Sequence, residues 1–285
     1  QFLVKSRQSA VSINRLVELE NVKPMVLNKN SFSKENSIEG QLYFEKVSFT
    51  FPGLKSNIVN SVSFEITAGS KVALVGKVGC GKSWLVNMIP RLVDPTGGII
   101  KLDGCDLKKF NIEDLRRSIG YVPQEPVLFS ETVKNNIILG RENISQTVLE
   151  WAIDVSQLED EIATFPEGIN TFIGTRGMSI SGGQKQRLAL ARALVGKPKI
   201  LILDDCTSAL DSHTEAALWD QLHKVMPDLT AILITHRPDT LEQVDKIYVL
   251  NDGSIVESGT HKDLMSKISH YSKIYKRYLL EDQVK

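Results

Sequence analysis

The stretch that most limits what this chain can fold into is "KVALVGKVGCGKSWL", Lys71 to Leu85. An apolar run ends in glycine, and Gly76, Gly81, Lys82 and Ser83 then fall in the spacing G-x-x-x-x-G-K-S. Glycines there let successive backbone N–H groups turn inward around an anion. The helix that follows offers its positive N-terminal end to the same point. Residues Gly76 to Trp84, with Lys77, Val78, Gly79 and Cys80 between the glycines, therefore read as a phosphate cradle. Lys82 adds a point charge at the outer phosphates, and the Ser83 hydroxyl can ligate Mg²⁺. The bland alternative is a glycine-rich turn between strand and helix, and the apolar strand directly before Gly76 argues against it.

Around this loop the pattern alternates between short apolar runs and helical stretches. "LYFEKVSFTF", "VSFEI", "GIIKLDG", "KILILDD", "AILITH" and "KIYVLNDG" read as strands. "ETVKNNIILG" and "TVLEWAIDVSQL", between about 130 and 160, read as helices. Strands that are apolar throughout, alternating with helices, predict a mostly parallel sheet covered on both faces. The first 22 residues have the spacing of an amphipathic helix, residues 23 to 40 read as a linker, and the tail from Lys262 to Leu280 as one amphipathic helix used for packing or dimer contact.

Composition narrows the setting. The 34 basic residues of the 285 balance 34 acidic ones, so no global charge argues for nucleic acid or an anionic membrane surface. No apolar run approaches the ~18 residues needed to cross a bilayer. The chain starts at Gln1 without a signal-peptide pattern, and a fragment of a longer protein is expected. Cys80, Cys105 and Cys206 show no C-x-x-C pairing or metal-ligand spacing, which fits a reduced, cytosolic setting.

A phosphate loop alone leaves kinases, GTPases and many ATPases open. Asp204 ends the strand "ILIL", where a carboxylate can hold Mg²⁺ through water beside the phosphates. At "SISGGQKQRLALARAL", Ser179 to Leu194, the field narrows again. The chain here resembles the nucleotide-binding domain of ABC transporters, over about residues 41 to 270. "SGGQ" is nearly that family's signature, with Ile180 where leucine is usual.

The resemblance implies roles for individual residues. Ser181, Gly182, Gly183 and Gln184 would face ATP held by a second copy of the domain. Phe51 would stack on adenine, Gln124 would meet Mg²⁺ and the attacking water, Asp211 would couple the two nucleotide sites, and His236 would reach the terminal phosphate. "VPQEPVLFSETVKNNIILG" and "GTHKDLM" look like the half-transporter kind of exporter, and "QSAVSINRLVELENVKP" resembles the end of a last transmembrane helix. The implied fold is α/β: a phosphate-loop core with a mixed sheet, an antiparallel β portion near 41 to 70, and an inserted helical subdomain around 126 to 186. Residues 1–40 would be the membrane-domain exit and linker, and 41–285 the nucleotide-binding domain.

Where the family carries glutamate after the magnesium-site aspartate, this chain has Asp205. That position orients the attacking water, so the pattern resembles the degenerate half of a heterodimeric ABC exporter. Trp84 replaces a usual threonine, Lys77 adds a cation to the loop, and Thr175 replaces a glutamate common before the signature. The leading expectation is an ATP-binding, Mg²⁺-dependent exporter domain at the cytoplasmic face of a membrane, soluble as a fragment and slow in its own hydrolysis. Its partners would be the transmembrane domain of the same full-length chain and a second nucleotide-binding domain, with no nucleic acid. A competent homodimeric exporter ATPase, in which Asp205 suffices, is the second reading. A soluble ABC protein of translation or DNA repair is the third.

Overall fold

Residues alternating between apolar and polar along Leu42–Phe49 (β1) and Val59–Ile66 (β2) bury one side of each strand and pair them antiparallel. Phe44 and Phe64 face each other across this pair, their rings stacked with centroids 4.2 Å apart. The computed structural model describes residues 13–17, 20–21, 24, 26–28, 38–174, 178–206 and 212–283. After Lys71–Val75 (β3), the chain returns to the first sheet as Gly97–Leu102 (β4) and Cys105–Asp106 (β5), giving the order β2-β1-β4-β5.

The second sheet holds six strands: β3, Ile119–Val122 (β6), Ile200–Asp204 (β9), Thr230–Ile234 (β10), Lys246–Asn251 (β11) and Ser254–Gly259 (β12), in the order β12-β11-β3-β10-β9-β6. All its pairings are parallel except the edge pair β11–β12. A two-residue pair, Glu131–Thr132 (β7) with Phe172–Ile173 (β8), stands apart. Successive side chains of a strand point to opposite faces, and here both faces are buried. Val72, Leu74, Ile200, Ile202, Ile232 and Ile234 face a core shared with the first sheet. Ala73, Val75, Leu201, Leu203, Ala231 and Leu233 face a second core built with helices. Each large side chain among them, fully buried, contributes roughly 1.5–3 kcal/mol, which is why these strands are apolar throughout.

The helices are α1 (Lys82–Asn87), α2 (Ile112–Arg117), α3 (Val133–Ile138), α4 (Gln146–Val155), α5 (Glu159–Thr164), α6 (Gly182–Leu194), α7 (Ser212–Val225), α8 (Pro238–Gln243), α9 (His261–Met265) and α10 (His270–Gln283). Several begin where the sequence supplies a cap. Asn111, Thr132, Ser145, Ser181 and Thr260 each accept a hydrogen bond from a first-turn N–H, satisfying a donor that the helix itself cannot. Among the described residues no helix is long and apolar enough to cross a membrane.

Among the elements that differ from the sequence reading are one strand of the second sheet and the tail. β6 is a strand that the apolar pattern does not reveal, because its four residues include Gly120 and run straight into "PQEP". The tail is two helices rather than one. Ser269 and Ser272 exchange hydrogen bonds between the backbone N–H of each and the hydroxyl of the other, at 3.0 and 3.1 Å, which stops one helix and starts the next. Packing also begins before Gln41: Ile38 is buried, and the N–H groups of Glu39, Gly40 and Gln41 all donate to the Asp103 carboxylate.

Candidate functional site

Four parallel strands deliver the candidate residues to one edge of the second sheet. β3 runs into the glycine loop, β9 ends on Asp204, β10 leads to Thr235 and His236, and β6 leads to Gln124. Asp204 is level with Ile234 in register, and Ile234 with Leu74. The carboxyl edge of an open parallel sheet is where loops converge on a ligand.

The loop needs its glycines for two different reasons. A Cβ on Gly76 would lie 2.3 Å from the Leu250 carbonyl oxygen, so the loop's start is pressed against β11. Gly81 has φ +101°, and a Cβ there would lie 2.7 Å from the Ile58 carbonyl oxygen. Lys82 reaches back across the loop, its Nζ donating to the carbonyls of Gly76 at 2.8 Å and Lys77 at 3.0 Å. A full positive charge therefore stands at the cradle.

Ser83 Oγ donates to Asp204 Oδ1 at 3.2 Å. Burial lifts the Asp204 carboxyl above its ordinary range, the Ser83 hydrogen bond opposes that shift, and the negative charge of Asp205 adds to it. The Tyr121 hydroxyl stands near Asp204 and donates to Asn87 Oδ1 at 2.8 Å. A hydroxyl and a carboxylate this close form an oxygen-donor pair suited to Mg²⁺, which completes its shell with phosphate and water. A dication there would offset the desolvation that raises Asp204.

Asp205 follows at φ +49°, its N–H donating to the Ile234 carbonyl at 2.8 Å. Its Oδ1 lies 2.8 Å from His236 Nδ1. The two residues expected to handle water and terminal phosphate are thus bound to each other. Gly76, Lys77, Val78, Lys82, Asp205 and His236 line one cavity of about 320 Å³. The sequence reading missed the opposite wall, which is α10: Ile274, Arg277, Tyr278 and Glu281 face the same space. Their spacing of three, four and seven residues was the available signal. The Tyr278 ring packs against His236 with centroids 5.9 Å apart, and burial pushes its hydroxyl up to about 12.

Other expected residues lie outside that cavity. Phe51 meets Trp84 edge-on at 4.7 Å, and Trp84 stacks on Phe49 at 5.5 Å, so Trp84 extends an aromatic cluster beside the loop. Gln124 is exposed just beyond β6. Ser181 and Gln184 form a capping box at the start of α6: Ser181 Oγ accepts from the Gln184 N–H at 3.2 Å, and Gln184 Oε1 from the Ser181 N–H at 2.8 Å. With Gly182 beside them and open space around its Cα, these residues present backbone to the exterior. Asp211 and Thr175 lie outside the described residues.

A sequence model of the family described as ABC transporter matches residues 59–208, more than half of the chain. The chain belongs to the ABC transporter family. Among ABC transporter relatives, B family member 13 of Arabidopsis thaliana is 39% identical over 274 residues, which are 93% of this chain and 22% of that protein. ATP-binding cassette sub-family B member 5 of Homo sapiens is 44% identical over 239 residues, 84% of this chain and 19% of that protein. The solved structure of a bacterial Atm1-family ABC exporter with ATP bound is 34% identical, with a TM-score of 0.86, covering 95% of this chain and 47% of that one. The chain therefore spans about a fifth of the length of these curated relatives. Its fold is the α/β phosphate-loop fold of an ABC ATPase domain, which binds ATP.

Proposed function

We propose that this chain is the ATP-binding unit of an ABC exporter, that it closes on a second such domain around two ATP molecules, and that its own site hydrolyses ATP slowly. The B-family relatives and the Atm1-family exporter support the export reading. The full-length protein would then join this unit to a membrane domain at the cytoplasmic face. The exposed capping box at Ser181–Gln184 supports the pairing. It lies outside this chain's own cavity, and a glycine-rich helix start suits the phosphates of ATP held by another domain. Asp211 would couple the two sites in that dimer.

Within the chain's own site, the cradle and Lys82 hold the phosphates, while Phe51 and Trp84 offer an aromatic edge for the base. Ser83 and Asp204 would hold Mg²⁺, with Gln124 as a further ligand, and the ion would neutralise charge on the outer phosphates. Asp205 would orient the attacking water, and His236 would contact the terminal phosphate.

The observation that carries slow turnover is the Asp205–His236 contact at 2.8 Å. The carboxylate is one methylene shorter than glutamate, about 1.5 Å, and it is already held by the histidine. A misplacement near 1 Å costs on the order of 100-fold in rate, whereas ATP affinity rests on the cradle. Steady-state ATPase rates of the chain and of Asp205→Glu, at protein concentrations that favour dimers, test this. The variant should be faster by ~10-fold or more at unchanged ATP affinity. A brisk native chain that glutamate does not improve would favour a self-sufficient homodimer.

A further inference from the structure

A cavity of about 790 Å³ lies away from the glycine loop. Its walls are the C-terminal end of α2, the link from Val195 to Lys199 between α6 and β9, and the segment Gly140–Ser145 that leads into α4. Arg117, Arg141, Lys197 and Lys199 line it against a single acid, Glu142.

Basic residues at helix ends have an ordinary explanation, because they offset the negative end of the helix dipole. That accounts for Arg117 and Lys197, which end or follow α2 and α6, and Arg117 also pairs with Asp114. It does not account for Arg141. This residue sits in a loop, half-buried, and among the described residues its guanidinium makes no hydrogen bond or ion pair. The guanidinium lies close against Gly196, where a Cβ would come within 2.3 Å of one terminal nitrogen and 2.5 Å of the central carbon. A glycine thus makes room for a cation that nothing in the described chain neutralises. Burial and the neighbouring Arg117 both pull Arg141 below its ordinary value, so the site favours an incoming negative charge.

We propose that this cavity binds a small polyphosphorylated molecule, with the Arg141 guanidinium as its principal contact and Arg117, Lys197 and Lys199 as supporting cations. The volume lies within the ~300–1,000 Å³ range of small-molecule sites. One carboxylate would leave most of it empty. Several phosphate groups match both the size and the charge, and the guanidinium fork suits phosphate oxygens geometrically. The site is independent of the phosphate loop, and of the slow-hydrolysis reading.

Site-resolved NMR with inorganic tripolyphosphate as the probe separates the two sites. The amides of Gly140 and Gly196 report on the cavity, and those of Gly76 and Gly79 on the loop. Tripolyphosphate should shift the Gly140 and Gly196 signals saturably, and Lys82→Ala should leave that response intact. Arg141→Gln should weaken it by ~10-fold or more. Gly196→Ala displaces the guanidinium without removing a charge, and should weaken the response read at Gly140 while ATP still shifts the loop amides, which also certifies the fold. The proposal is overturned if only the loop glycines respond, if Arg141→Gln binds unchanged, or if sulfate at equal ionic strength gives the same shifts.

Discussion

Burying a carboxylate at the end of β9 costs stability, and at Asp204 the hydrogen bond from Ser83 and the charge of Lys82 work against that cost. Because its folded value is raised, the folded state holds the proton more tightly than the unfolded chain does. The contribution of Asp204 to stability therefore declines as pH climbs from the ordinary aspartate value to the raised one, and stays low at neutral pH. Asp204→Asn removes that decline. Thermal unfolding should show a higher midpoint than the native chain at neutral pH, with the gain vanishing in acid, while Mg²⁺-dependent ATP hydrolysis is lost. A gain that is constant with pH would show that burial of this charge is not its source. Asp205 carries a different burden. At φ +49° it occupies a region that aspartate visits more readily than glutamate. Asp205→Glu should therefore lower the unfolding midpoint slightly even as it raises the ATPase rate.

The segment after Gln124 is tied down by one buried side chain. Asn136, on α3, accepts from the Phe129 N–H at 2.9 Å and donates to the carbonyls of Phe129 and Thr132, each at 3.0 Å. From α6, Arg192 adds Nη1 to the Val127 carbonyl at 2.9 Å and Nε to the Asn136 carbonyl at 2.8 Å. Asn136→Leu would leave those loop groups without partners, at about 1–3 kcal/mol for each one kept from water. Denaturant midpoints should fall accordingly, and amide exchange across 127–132 should accelerate while β3 and β9 stay protected. An unchanged exchange pattern would mean that Arg192 alone holds the segment. None of this is legible in the sequence, because "NN" within "ETVKNNIILG" gives no sign that Asn136 points inward. What is legible there has a local cause: glycines fixed by steric limits, a strand ending in Asp204, a serine cap before a glycine-rich helix start. The Asp205–His236 contact and the α10 wall join positions far apart in the chain, and periodicity within one element does not reveal which surfaces meet. Tyr278 illustrates the limit: the pattern around it shows a helix and says nothing of where that helix packs.

The whole molecule shares one sheet between two cores, with Ile202 of β9 facing the first and Leu203 the second. Truncating either to alanine should cost about 2–5 kcal/mol. Because the two side chains hang from neighbouring backbone positions, both variants should shift a single unfolding transition, read alike by circular dichroism and fluorescence. Two separated transitions would mean that the cores melt independently. The three tryptophans divide the same architecture differently. Trp84 lies against Phe49 and Phe51 beside the glycine loop, Trp151 on α4 has Lys197 over its ring at 5.8 Å, and Trp219 on α7 has Lys71 over its ring at 5.4 Å. Each indole thus stands at a different place in the fold, and the chain is its own optical gauge. Nucleotide arriving at the loop should alter the emission of Trp84, and Trp84→Phe should silence that change. Anion drawing Lys197 away from Trp151 should alter a second component, leaving Trp219 as the internal reference against which both are read.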